Sequence, residues 1–207
     1  MNHAALRQLI TDNHGVFTPV HAMECGFSRY QIRARVRRGE WHTVLGPVLA
    51  PEGTRMTAWV RDVAAQLATP GAVLSGPSAA RRHGFGLSDM RTVVTVPADR
   101  HLRLPGVMSL REPLDAGDVL FSDGVLLTTR SRAVFDCVRL LPDGTAQGLL
   151  DRALLLGWTT PAEFAVRVRG HVGRRGAPRL VRLLRSVSDG SRSVAERQFL
   201  SLLRRAG

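Results

Sequence analysis

The sequence predicts an α+β protein, with helices and a hairpin at the N-terminus and a mixed α/β region of a small sheet and several helices behind them. Three observations predict it. Residues 17–53 are punctuated as helix, turn, helix and hairpin. Short apolar runs at Ala72–Leu74, Thr92–Pro97, Gly106–Leu110 and Val125–Thr128 read as strands. Helical periods separate some of these runs without a regular βαβ rhythm, so a nucleotide-binding fold is not expected.

In chain order, residues 2–12 carry Ala5, Leu6, Leu9 and Ile10 at helical spacing, and Gly15 ends the segment. Val16 and Phe17 form a short extended link. Thr18 caps the next helix, with Pro19 at the first helical position, where a missing N–H costs nothing. Gly26 suits the left-handed residue that ends it. Ser28 opens a further helix, Gln31 three residues on gives the Ser-x-x-Gln capping box, and Phe27 and Ile32 are placed as a hydrophobic staple. Gly39 closes this helix. Trp41–Leu45 and Val48–Ala50 then flank Gly46-Pro47 as strand, turn, strand. That layout over residues 1–53 is a winged helix-turn-helix, a module that lays its second helix in the DNA major groove.

At about 100° per residue, Ile32 and Val36 share an apolar stripe. Arg29, Arg33 and Arg37 form a neighbouring stripe. Tyr30, Ala34 and Arg38 lie further round, with Gln31 and Arg35 on the remaining polar side. Five arginines stand between positions 29 and 38. They repel one another unless anions relieve them; phosphates do so, and Arg can also pair bidentately with guanine edges. The competing reading is a solvated basic face in an arginine-rich chain. The caps, the turn and the hairpin favour DNA, with Ser28, Arg29, Tyr30, Gln31, Arg33, Arg35, Arg37 and Arg38 as contacts. His42 on the hairpin is placed to reach a phosphate, whereas Trp41 is expected in the core.

Pro51-Glu52-Gly53 reads as a turn and a domain boundary. Thr54 caps a helix to about Leu67, with Met56, Trp59, Val60, Val63 and Leu67 on its apolar face. Ser75 or Ser78 starts a short helix closed by Gly84. Gly76-Pro77-Ser78 superficially resembles a nucleophile elbow but lacks the second glycine, so hydrolase chemistry is not expected. Asp115–Val119 reads as a turn or short helix, and Ser122-Asp123-Gly124 as a turn. Helices follow at 130–141, at about 145–156, and from Thr160 with its capping-box partner Glu163. A basic loop at 170–176 leads to a helix at 179–187. Ser193 and Glu196 form a capping box for a last helix with Phe199, Leu202 and Leu203 apolar. The expected domains are thus 1–53, 54–187 and a C-terminal helix at 188–207.

Composition bounds the chemistry. The 207 residues are 44% hydrophobic, enough for a real core, and the net charge is +12. Such an excess favours a polyanionic partner. All 29 basic residues are arginine. Without lysine the chain can build no P-loop, no Schiff base and no lysine-dependent nuclease centre. Cys25 and Cys137 form no CxxC, and the histidines stand at no zinc spacing, so no metal and no cofactor is expected. No apolar run reaches membrane-span length and the N-terminus lacks a signal core, so the expectation is a cytoplasmic protein with no membrane partner. Arg81-Arg82 and Arg174-Arg175 are secondary basic clusters, which either extend a DNA footprint or are only solvated.

The segments HGVFTPVHAMECGFSRYQIRARVRRGEWHTVLGPVLAPEG, AVLSGPSAARRHGFG, VVTVP and LLTTRSRAVFDC together resemble the AbiEi-type antitoxin family of bacteria. Thr128, Thr129, Arg132 and Asp136 carry the last element. Gly76 departs from the pattern, since similar proteins have His there. The resemblance implies a winged helix that binds promoter DNA, an α/β domain over 54–187, and a role as a transcriptional regulator in a toxin–antitoxin system. It also implies a nucleotidyltransferase toxin as partner. The stretch SRSVAERQFLSLLRRAG is similar to the first helix of very-short-patch-repair-like endonucleases. That second resemblance implies Glu196 in the opening helix of an active site whose catalytic Asp and Glu-x-Lys strands would follow Gly207. As it stands the sequence holds no complete hydrolytic centre. Three functions stay open: a DNA-binding regulator, the DNA-targeting part of such a nuclease, and a protein-binding module that neutralises a toxin.

Overall fold

The computed structural model describes residues 1–87, 91–100, 102–174 and 176–185. The expected helix at 188–207 with Glu196, and Arg175 of the second basic cluster, lie outside the described residues. The chain is α+β and divides into two compact units, 1–129 and 130–207.

The first unit opens with α1 (His3–Asp12), whose Asn2 cap accepts from the Ala5 N–H at 2.9 Å. Helix α2 (Pro19–Glu24) is capped by Thr18, and α3 (Arg29–Arg37) by Ser28. Strands β1 (Trp41–Leu45) and β2 (Val48–Pro51) form an antiparallel hairpin, irregular between Thr43 and Leu45. Leu6, Phe17, Ala22, Phe27, Ile32, Trp41 and Leu49 make one apolar cluster beneath these elements. Phe17 meets the Trp41 ring edge-on at 4.9 Å, so Trp41 is a core residue. A bridge from Phe17 to Leu49 ties the link before α2 to the hairpin.

Helix α4 (Ala58–Ala68) is capped by Thr57, whose hydroxyl accepts from the Val60 N–H at 3.2 Å, and not by Thr54. The three-residue shift moves Met56 out of the helix and leaves it exposed. Packing of α4 on β1 and β2 continues across the turn at Gly53, where the sequence suggested a boundary. The hairpin tip is held as well: a Cβ on Gly46, at φ +53°, would stand 3.1 Å from Leu104 and 3.7 Å from Ala68. This tip leans on neighbouring elements.

A five-stranded sheet completes the unit in the order β5-β4-β3-β7-β6, with β3 (Val73–Leu74), β4 (Thr92–Val96), β5 (Val107–Arg111), β6 (Val119–Ser122) and β7 (Val125–Thr128). The β4–β5 and β3–β7 pairs are parallel; β3–β4 and β6–β7 are antiparallel. Strand β6 was not expected from sequence. Gln66 of α4 ties β7 to the residue before β3: its amide N–H groups donate to the carbonyls of Ala72 and Leu126, and its carbonyl accepts from the Leu126 N–H.

Helix α5 (Gly76–Arg82) starts at Ser75, but the Ser75 hydroxyl bonds Thr95 and Val73 instead of capping. Ser78, the residue at the elbow-like Gly76-Pro77-Ser78, is fully buried; its hydroxyl donates to Asp62 at 2.7 Å and accepts from the Val93 N–H at 2.8 Å. Both roles are structural, which leaves it no attacking position.

The second unit contains α6 (Arg130–Leu140), α7 (Asp143–Leu155), α8 (Pro161–Gly170) and a helix at 177–185. Phe135, Val138, Leu150, Phe164 and Leu180 form its core. Asp136 is buried between Arg132 at 3.1 Å and Arg139 at 3.2 Å, so this carboxylate is neutralised inside the unit. Among the described residues no helix is long and apolar enough to cross a membrane.

Candidate nucleic-acid interface

Helix α3 is fixed at its start by a reciprocal cap. The Ser28 hydroxyl accepts from the Gln31 N–H at 3.2 Å, and the Gln31 side chain accepts from the Ser28 N–H at 2.9 Å. These two residues hold the helix end; their side chains are committed to each other's backbone. Ile32 anchors the inner face and is buried. At 3.6 residues per turn, this anchor turns Tyr30, Arg33 and Arg37 outward.

Arg29, Arg33 and Arg37 are exposed, and none has an ion-pair partner among the described residues. Tyr30 is 73% exposed, and the Arg37 guanidinium lies 5.9 Å from its ring. An exposed phenol beside the Arg37 guanidinium, on a helix that also exposes Arg29 and Arg33, offers a polar edge, a stacking face and positive charge.

Two arginines expected on this surface are otherwise engaged. Arg35 is half-buried, its guanidinium 4.9 Å from the Phe27 ring and 5.3 Å from the Trp41 ring, with Glu40 at 3.6 Å. It packs on the core because the position faces the aromatic pair, which helical spacing alone does not reveal. Arg38 is exposed but donates to Glu40 at 2.6 Å. That hydrogen bond, reinforced by the charges of Arg38 and Arg35, holds the Glu40 carboxyl below its ordinary range. Glu40 therefore neutralises part of the charge of Arg35 and Arg38 within the fold. The sequence carried a signal for it, an acid two residues after Arg38.

Between α3 and the hairpin runs an open groove of about 470 Å³. Ile32, Val36 and Leu49 floor it, and Arg33 and Arg37 stand on one bank. Val36, expected on the apolar stripe, is 36% exposed at this edge. His42 is half-buried on β1.

In the secondary basic cluster Arg81 is half-buried and Arg82 is exposed. Arg81 is turned inward, bonding both Asp62 carboxylate oxygens at 2.9 and 2.7 Å. Arg82 lies 4.6 Å over the Trp59 ring and pairs with Asp123. Both pairings join residues distant in sequence, which a local charge count misses. Arg174 is exposed in the second unit.

No protein-family model matches this chain, and no curated protein matches it either.

Proposed function

We propose that this chain is a cytoplasmic, sequence-specific duplex-DNA-binding regulator of AbiEi antitoxin type, with its first 53 residues working as a winged helix-turn-helix. The observation that carries the reading is the outward ridge of α3. Arg29, Arg33 and Arg37 are exposed and have no ion-pair partner among the described residues, while Arg35 and Arg38 are held by Glu40. The ridge is rigid because Ser28 and Gln31 cap its start and Ile32 pins its inner face. Guanidiniums held on one side of a helix, with a groove beside them, suit phosphates flanking a major groove and guanine edges within it. The partner in the same reading is a nucleotidyltransferase toxin, engaged through a surface other than this ridge.

Fluorescence anisotropy on duplex from upstream of the gene, against a scrambled duplex, tests the reading between 50 and 200 mM salt. Three phosphate contacts from α3 contribute about −2.7 to the slope of log affinity against log salt. The Arg33→Ala/Arg37→Ala variant is expected to flatten that slope by about 1.8 and to lose the preference for the upstream sequence. Salt-insensitive association, or a variant that binds as the unaltered chain does, ends the proposal. Retention of the toxin by the same variant in co-purification separates the two surfaces.

A further inference from the structure

On the other flank of the hairpin a second cavity, of about 190 Å³, lies between β1, α4 and the starts of β4 and β5. Its apolar walls are Val44, Leu45, Pro105 and Val107, and Arg61 and Arg91 supply the charge. Arg61 projects from α4 as an exposed residue with no ion-pair partner among the described residues. The Thr92 hydroxyl at the wall is engaged with the buried Asp62. The cavity thus sets an apolar side of Val44, Leu45, Pro105 and Val107 against a polar side that carries guanidiniums. A closed apolar cavity of about 150 Å³ holds benzene; this open one, of about 190 Å³, has the size for a six-membered ring with a short charged head.

We propose that this cavity is a binding site for a small amphipathic oxyanion, an aryl or short alkyl carboxylate or phosphate, whose head pairs with Arg61 while its body packs on Val44, Leu45 and Val107. The chemistry follows from the lining. A bare anion leaves the apolar walls wet, and a neutral ring leaves the guanidinium without its bidentate partner. The site stands apart from the α3 ridge and does not rest on DNA binding.

The test is a titration of the full 207-residue chain followed by amide NMR, with benzoate as the probe, benzyl alcohol as the uncharged body and inorganic phosphate as the bodiless anion. Benzoate is expected to give saturable shifts at Val44, Leu45, Thr92 and Val107, with affinity at least fivefold above both controls. Arg61→Met keeps the stem and removes the charge; it is expected to weaken benzoate at least fivefold without moving the thermal midpoint. Arg61→Lys should restore part of the loss. The Arg33→Ala/Arg37→Ala variant should bind benzoate like the unaltered chain, so failure of the DNA reading and failure of this site are told apart. Absence of saturable shifts, equal affinity for phosphate and benzoate, or indifference to Arg61→Met overturns the proposal. So does a duplex oligonucleotide that shifts these amides when benzoate does not, which would assign the site to DNA phosphate.

Discussion

Arg33 and Arg35 stand two positions apart on α3 and do different work. Arg35 lies over Phe27 and Trp41 with its stem against the core. Truncating it to Ala loses a cation–π contact and apolar packing, a cost of about 1 kcal/mol. The expected fall in thermal midpoint is about 2–4 °C for a chain of this size, read by calorimetry. Arg33 is exposed, so the midpoint of Arg33→Ala should not move, and under the proposed function its effect is expected in DNA affinity alone. Glu40→Gln releases Arg38 and weakens the hold on Arg35. Affinity for random-sequence duplex should rise about two- to threefold, the size of one exposed ion pair. An unchanged affinity would mean that Arg38 reaches no phosphate.

His14 is expected to give this unit a pH dependence. It sits at φ +56° with its ring 5.2 Å from Trp59, and burial, then the nearby Arg82 charge, lower its pKa from 6.5. The unfolded chain therefore binds the proton more readily than the folded one. Stability attributable to His14 is present above about pH 6.5 and is lost as pH falls below that value. His14→Asn tolerates the left-handed backbone and should flatten the midpoint between pH 7.5 and 5. If the variant and the unaltered chain keep parallel profiles, another group is responsible.

At the scale of elements, what the sequence reveals follows the range of the forces involved. The start of α3 was legible because caps are local: Ser28 and Gln31 are three residues apart and bond each other's backbone. Ser28→Ala should cost about 1 kcal/mol and fray the turn bearing Arg29 and Tyr30. Circular dichroism would show the loss of helix, and under the proposed function DNA affinity should fall although none of the proposed arginine contacts has changed. The hairpin was legible for the same reason, through Gly46-Pro47. Strand β6 was not. Its first residue, Val119, was absorbed into the turn expected at Asp115–Val119, and the four residues are extended because they pair with β7 from Val119↔Thr128 to Ser122↔Val125. Thr57 prevailed over Thr54 because tertiary packing set the helix start, with Ala58 and Val60 buried. Of the ridge, Arg29, Tyr30, Arg33 and Arg37 were readable from helical angle. The inward turn of Arg35 was not, because it depends on where Phe27 and Trp41 meet.

At the scale of the molecule, the most consequential feature the sequence concealed is an acid on an otherwise apolar face. Asp62 is fully buried in α4, bonded to Ser78 and Arg81 of α5, while Ser78 also receives the Val93 N–H of β4. One carboxylate thus locks two helices and the sheet of the first unit. Burial pushes its pKa above 3.8, and the Arg81 charge with the Ser78, Arg81 and Thr92 hydrogen bonds pulls against that rise. The pair is costly to bury, so its worth is conditional on both members. Asp62→Ala takes away the carboxylate that the Arg81 guanidinium, whose side chain is 15% exposed, pairs with at 2.7 Å. The expected loss is about 3–5 kcal/mol, enough to unfold the first unit at moderate urea. Asp62→Leu/Arg81→Met removes both charges and should recover most of that loss. Urea denaturation of the single and double variants gives the coupling directly. If the double variant is as unstable as the sum of the singles, the network contributes through Ser78 and the β4 backbone, not through the ion pair. In that case Ser78→Ala, which strands the Val93 N–H, becomes the more damaging single change.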